Sequence, residues 1–280
     1  MAAGWWIVVG TAAVSIVLLA AALACRARRG SVPAGAATTL PVALGVAGVL
    51  VALACGVFAL VADDGAPGST DGPVLAWLVG HRTPAWTGVA ETVSLLGGTI
   101  GTGGLAVVSA AVLWWRGRRV RATVWVVAVL VGSLTIRGLK GVVERPRPPV
   151  ATRVTVETST SLPSGHSLMA VLGLGLTVAA VLALLPGDGR RRGARAVTRT
   201  ATVLVGAGLA LAIGISRAYL GVHWTTDVLA GWLLGGALLS LALGCAVLLE
   251  ARATEIIPRK EYLRPRYADA LKIIVRSGGP

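Results

Sequence analysis

Acidic side chains are scarce in this chain of 280 residues: 12 Asp and Glu stand against 26 Lys and Arg, and the four types together make up only 14% of it. That is far from a soluble domain, in which about a quarter of residues are charged. Cysteine is scarce as well. Cys25, Cys55 and Cys245 fall in or at the ends of apolar runs, with no obvious mate and no metal-ligand spacing, so neither a disulfide framework nor a zinc site is expected. The chain also lacks an internal repeat, a low-complexity linker and any stretch that reads as a second domain.

What fills it instead is apolar: 55% of residues are hydrophobic and the mean hydropathy is strongly positive, the composition of an integral membrane protein. A net charge of +14 raises nucleic acid as a partner, but no solvated domain exists to carry a basic face, and the arginines lie in short clusters between apolar runs. The excess of cations in cytoplasmic loops accounts for them, and the partners expected are the bilayer and a membrane lipid, not nucleic acid. Nothing in the sequence specifies an oligomeric state.

Taking about 20 apolar residues per crossing, the sequence predicts an all-α polytopic bundle with seven spans, near 5–25, 38–62, 87–115, 121–140, 166–186, 198–216 and 226–250. No basic residue precedes the first run and Arg26, Arg28 and Arg29 follow it, which fits a helix with its N-terminus outside better than a cleaved leader. Basic clusters then mark every second connection: Arg26/Arg28/Arg29, Arg116/Arg118/Arg119/Arg121, Arg190/Arg191/Arg192/Arg195/Arg199, and a tail over 251–280 with Arg252, Arg259, Lys260, Arg264, Arg266, Lys272 and Arg276. These are expected to be cytoplasmic, and loops 63–86, 141–165 and 217–225 to face outward. Loop 63–86, with Asp63, Asp64, Asp71, Trp77 and Trp86, suits a segment lying along the membrane surface. Glycines at 97, 98, 101, 103 and 104, and the Gly231/Gly235 pair, are expected to let helices approach closely. No P-loop lysine follows the glycine-rich stretch, so it does not read as a phosphate cradle.

Nearly all polar residues able to do chemistry gather between Lys140 and Asp227, in three islands on two of the outward loops. Lys140 ends the fourth span, and Arg145 and Arg147 alternate with Pro146 and Pro148, which hold the backbone extended and stop the helix. A guanidinium grips phosphate oxygens as a fork and lysine acts as a point charge, a mixture suited to a bound dianion. Pro163-Ser164-Gly165-His166 opens the fifth span, where free N–H groups and the positive end of the helix dipole favour an anion. There His166 can protonate a leaving oxygen. Ser164 reads either as an N-cap or as a rival nucleophile with no clear base of its own. Arg217 ends the sixth span, and His223 and Asp227, four residues apart, share one helical face, so the carboxylate can fix the tautomer and leave the other ring nitrogen as a nucleophile. A divalent metal among Lys140, Arg147 and Arg217 meets strong repulsion, so phosphoryl transfer without a metal or other cofactor is the better reading.

These residues, Lys140 with six before Arg147-Pro148, then Pro163-Ser164-Gly165-His166, then Ser216-Arg217 with five before His223 and three before Asp227, resemble the three-part motif of the type-2 phosphatidic acid phosphatase superfamily, which membrane lipid phosphatases share with vanadium-dependent haloperoxidases. No position departs from it. The resemblance implies a helical bundle with its active site at the outer face, no metal, and a phosphohistidine intermediate. It makes His223 the nucleophile, Asp227 its orienting partner, and His166 the acid that later activates water. Lys140, Arg147, Ser164, Gly165 and Arg217 hold phosphate on this reading; Arg145, Tyr219 and Trp224 are neighbours. The usual core has six spans, so residues 1–30 become an extra N-terminal helix, 38–250 the phosphatase domain and 251–280 a basic cytoplasmic tail.

The function expected is hydrolysis of a lipid phosphate monoester or diphosphate, of phosphatidic acid, phosphatidylglycerophosphate or polyprenyl diphosphate type, at the outer face. A phosphotransferase differs only in the acceptor that enters after the leaving group. A haloperoxidase would use the same pocket for vanadate, but that chemistry belongs to soluble members. A transporter or scaffold tends to place its ionisable groups near the midplane instead. Glu91, about one turn into the third span, is given no catalytic role.

Overall fold

In the computed structural model, which describes residues 34–64, 70–185 and 192–276, the described chain forms eight α-helices and one 3₁₀ turn, with no strand among the described residues. They are α1 (Ala34–Asp64), α2 (Asp71–Gly80), α3 (Pro84–Leu96), α4 (Thr99–Trp115), α5 (Arg119–Val143), α6 (Gly165–Leu184), α7 (Arg192–Tyr219) and α8 (Thr225–Arg276). The span expected at 5–25, with Arg26, Arg28 and Arg29, lies outside the described residues.

Five of these helices are long and apolar enough to cross a membrane, and the count rises to six if the bent pair α3 and α4 crosses as one span. Here the structure corrects the sequence reading, which took 87–115 as one helix: α3 and α4 are bent by 45° at Gly97-Gly98. Glycine is a poor helix former, and this site also needs one. A methyl at Gly97 would stand 2.3 Å from Ile213 Cγ1 of α7. The apolar part of the last span, Thr225–Ala253, lies where the sequence predicts it, and α8 continues as helix through the basic segment to Arg276.

A core of Leu113, Trp125, Leu168, Met169, Leu172 and Leu176 joins α4, α5 and α6, with α8 packed against it. The Trp125 indole N–H, which would be costly to bury unpaired, donates to the Leu176 carbonyl at 2.8 Å. Large apolar side chains such as Ile100 (91% exposed) and Trp115 (86%) line the outside of the bundle, where lipid tails and not water make that exposure favourable. Within α6, residues Ala170–Leu174 form a π turn whose Gly173 lies against the α4 backbone; a methyl there would be 2.4 Å from the Thr102 carbonyl oxygen.

The two glycines predicted to allow close approach in the last span do so, and they press α8 onto the start of α6. A methyl at Gly231 would lie 2.6 Å from the Ser164 carbonyl oxygen, and one at Gly235 would lie 2.5 Å from that of Leu168. The Arg121–Glu250 ion pair ties α5 to α8 at one end of the bundle. At the other end the segments 144–164 and 220–224 fold over the helix termini, and there the three islands meet.

Candidate active site

The centre of that end is a buried imidazole–carboxylate pair. The four-residue spacing predicted to place His223 and Asp227 on one face brings His223 Nδ1 to 3.3 Å from Asp227 Oδ2. Asp227 is 0% exposed, and its Oδ2 also accepts from the Trp224 backbone N–H at 2.9 Å and from the Ser161 hydroxyl. Arg147 Nη1 stands 3.2 Å from His223 Nε2, on the side away from Asp227. A guanidinium can only donate, so Nε2 is the accepting nitrogen and the proton belongs on Nδ1. Burial, reinforced by the charges of Arg147 and Arg217, outweighs the pull of Asp227 and lowers the His223 pKa to about 4, so the ring is neutral near pH 7.

Around Nε2 the structure gathers the cations named from sequence. Arg147 also donates to the Val222 carbonyl at 2.5 Å, to the Ser159 carbonyl at 2.6 Å and to the Ser159 hydroxyl at 3.1 Å. Lys140 reaches the same hydroxyl at 3.2 Å and the Thr160 carbonyl. Arg217 donates to the Ser94 hydroxyl at 2.5 Å and to Glu157. The Glu157 carboxylate thus lies between two guanidiniums, with its second oxygen 3.6 Å from Arg147. Burial works to raise its pKa, but Arg217 and Arg147 more than offset that, and the net shift is downward.

The second island arrives from α6. Ser164 is fully buried and caps the helix: its hydroxyl accepts from the Ser167 N–H at 3.4 Å and from the Ser167 hydroxyl at 2.9 Å, while its own N–H donates to the Asp227 carbonyl at 3.0 Å. Gly165 is buried beside it, where a methyl would stand 3.3 Å from Ile136 Cγ2. His166 interacts electrostatically with Arg217, His223, Glu157 and Arg147, so it belongs to the same cluster. A cavity of about 970 Å³ opens beside it between α3, α4 and the 155–157 segment, lined by Glu91, Ser94, Gly98, Glu157, His166 and Arg217 among others. The α3–α4 bend forms its wall, and a methyl at Gly98 would sit 3.7 Å from His166 Nε2.

Several residues around the site were not picked out from sequence. Arg145, read as a neighbour, turns away from the cation cluster and pairs with Asp227 at 2.5 Å and with Asp71 at 2.7 Å. Asp71, assigned to the membrane surface, is buried. Glu157, Ser159 and Ser161 are bound between the first two islands, and Ser94 comes from a different span. The one signal for Asp71 was the rarity of acids in a chain where each buried cation needs a partner. Gly221 was also missed: at φ +71° it makes the turn between Arg217 and His223, and a methyl there would lie 2.2 Å from the Thr152 carbonyl oxygen. That carbonyl accepts from Arg82, whose fork also takes the Tyr219 carbonyl and pins the third island in place. Among the described residues no three His, Cys, Asp or Glu side chains are grouped as a metal would require.

Comparison with known proteins finds similarity in sequence and in fold. The PAP2 superfamily model matches residues 121–249. Phosphatidylglycerophosphatase B of Bacillus subtilis (strain 168) is 38% identical over 106 residues, 38% of this chain and 48% of that protein, so the alignment spans about half of the relative's length. The crystal structure of a transmembrane PAP2-type phosphatidylglycerolphosphate phosphatase from Bacillus subtilis superposes with a TM-score of 0.61 at 27% identity, covering 70% of this chain and 94% of that one. Aquifex aeolicus LpxE gives 0.47 at 19% identity, covering 62% and 95%. All three islands join at one end of an all-helical bundle, they lie within the stretch that matches the PAP2 superfamily model, and the fold is similar to that of a transmembrane PAP2-type phosphatase.

Proposed function

We propose that this protein hydrolyses the phosphate ester or diphosphate of a membrane lipid, with His223 as nucleophile. The observation that carries the reading is the pair of environments at one ring: Asp227 at Nδ1, and at Nε2 Arg147, a member of the cation cluster. An entering phosphate takes the cluster's donors, which frees the Nε2 lone pair to attack phosphorus. The N–P bond forms as the bond from phosphorus to the leaving oxygen breaks, and His166 supplies the proton that oxygen needs. Water then attacks the phosphohistidine, His166 takes its proton, and inorganic phosphate leaves with His223 restored. Lys140, Arg147 and Arg217 offset the charge on the phosphoryl oxygens throughout, so the step requires no metal. Ser164 and Gly165 contribute by holding the first turn of α6 beside Asp227.

The cavity beside His166 is where the lipid would enter from the membrane between α3, α4 and the 155–157 segment. Phosphatidylglycerophosphate is the first substrate to try, from the name of the relative, beside phosphatidic acid and polyprenyl diphosphate. Residues 38–250 form the catalytic unit. The ends bearing Arg116 to Arg121 and Arg195 to Arg199 face the cytoplasm with the basic C-terminal segment, which puts the site at the outer face.

The test is phosphate release from these three lipids in mixed micelles by the purified protein and by His223→Ala, each with and without chelator. Release by wild type alone, unaffected by chelator, is expected. Equal release by both proteins would remove the nucleophile assignment, and loss on chelation would remove the metal-free mechanism.

A further inference from the structure

Behind the imidazole–carboxylate pair lies a second buried layer that the mechanism above leaves unused. Arg145 is 5% exposed and Asp71 2%, and they come from different segments: Asp71 opens α2, between the first two described spans, and Arg145 follows α5. One Arg145 nitrogen donates to Asp227 Oδ1 at 2.5 Å and to the Thr226 hydroxyl at 2.8 Å; the other donates to Asp71 Oδ2 at 2.7 Å. Asp71 in turn accepts from the Thr226 N–H at 3.0 Å and its hydroxyl at 2.5 Å. The Arg145 guanidinium lies 5.6 Å from the centroid of the Trp224 ring, and the Trp224 indole donates to the Pro146 carbonyl at 2.9 Å.

Resting on the reading of His223 as nucleophile, we infer that Arg145 and Asp71 are positioning residues for its reaction: Arg145 clamps the carboxylate that orients the imidazole, and Asp71 clamps and balances Arg145. Two buried carboxylates this close would repel, and Arg145 between them removes that cost. The three together carry one net negative charge. The imidazole supplies the balancing positive charge as it attacks phosphorus, so the layer favours the reacting state over the resting one. Because both Arg145 amino groups are occupied on the far side of Asp227, it is not a further phosphate ligand.

A purely structural ion pair would lower the folded fraction and leave the chemistry of folded protein unchanged, so the test reads the pH profile. His223 is faced by Asp227 from α8, Arg147 from the segment after α5, Arg217 from the end of α7 and His166 from α6. Removing the Arg145 charge leaves Asp227 a stronger partner for the imidazolium, so the acid limb of kcat/KM moves to higher pH. Wild type, Arg145→Gln, Arg145→Lys, Asp71→Asn and His223→Ala are purified full length, checked by size exclusion and thermal melt, and assayed on phosphatidic acid in mixed micelles. Substrate ionisation is common to all, so differences between limbs belong to the protein.

Expected for Arg145→Gln is a fall in kcat of about 10²-fold with KM nearly unchanged, and an acid limb higher by roughly one pH unit. Arg145→Lys keeps the charge and recovers the limb but not the full kcat. Asp71→Asn lowers kcat roughly tenfold without raising the limb. Folded variants with wild-type kcat and limb overturn the inference, as does a rate loss explained wholly by lost folded protein. Should Arg145→Gln not fold, Arg145→Lys and Asp71→Asn decide it by the same criteria. If His223→Ala matches wild type, the underlying reading fails instead, and that arm separates the two.

Discussion

Gly231→Ala adds one methyl group to the face of α8 that packs on the start of α6, and three distances decide the outcome. The new carbon would sit 2.6 Å from the Ser164 carbonyl oxygen, 2.8 Å from Ser167 Cβ and 3.1 Å from the Leu168 nitrogen.

 Two of these are backbone atoms of the first turn of α6 and cannot rotate aside. Restoring an ordinary contact of about 3.5 Å asks for a separation of nearly 1 Å, and overpacking of this kind costs about 1–3 kcal/mol. The displacement acts on the helical turn that carries His166 and is tied to α8 by the Ser164 N–H, which donates to the Asp227 carbonyl. A misplacement of about 1 Å can cost roughly 10²-fold in rate, so kcat should fall between about 10- and 100-fold. KM should change little, because Lys140, Arg147 and Arg217 lie on other segments. The assay is lipid phosphate release at saturating and limiting substrate, with a thermal melt of the detergent-solubilised protein. Gly104→Ala is the control: it meets nothing within 4 Å and should match wild type in both. A Gly231→Ala protein with wild-type kcat and melting temperature would refute the claim that this contact sets the geometry of the site.

Other perturbations test separate parts of the account. With the His223 pKa lowered to about 4, the ring is protonated and inactive only below that pH, so kcat/KM should hold from neutral pH down and fall through about 4; a protein-derived limb near the ordinary value of about 6.5 contradicts the burial argument. Glu157→Gln removes the carboxylate that lies between Arg217 and Arg147, so inorganic phosphate should inhibit about tenfold more tightly, equivalent to about 1.4 kcal/mol; unchanged product inhibition means the carboxylate does not compete with phosphate. Gly221→Ala forces a side chain into a left-handed turn and against the Thr152 carbonyl, and should lower stability by about 1–3 kcal/mol together with kcat, as read by melt and phosphate release.

The residues that sequence could assign are those whose chemistry is local. His223 and Asp227 meet because four residues make about one helical turn, and Gly231 and Gly235 pack because their spacing puts them on one face. The spans were legible because lipid demands long apolar helices, a constraint that composition alone reveals. The α3–α4 bend was not legible, since apolar character runs through Gly97-Gly98 without interruption, and the Ile213 side chain that leaves no room for a Cβ at Gly97 comes from a distant helix. Arg145 and Arg147 alternate in one short proline-rich stretch, yet one faces Asp227 and Asp71 while the other faces His223 Nε2. Nothing in their order distinguishes them. Asp71 and Glu157 are partners across 74 and 60 residues of chain, and such pairings follow only from tertiary packing.

The most direct measurement of the central claim is covalent trapping. Phosphatidic acid labelled with ³²P is mixed with the protein and quenched in denaturant within the first turnover, and the label on protein is followed at acid and alkaline pH. The account predicts an acid-labile, alkali-stable phosphoryl group on His223 in wild type and none in His223→Ala. Turnover in wild type with no labelled protein at any time, or equal labelling of His223→Ala, would contradict it.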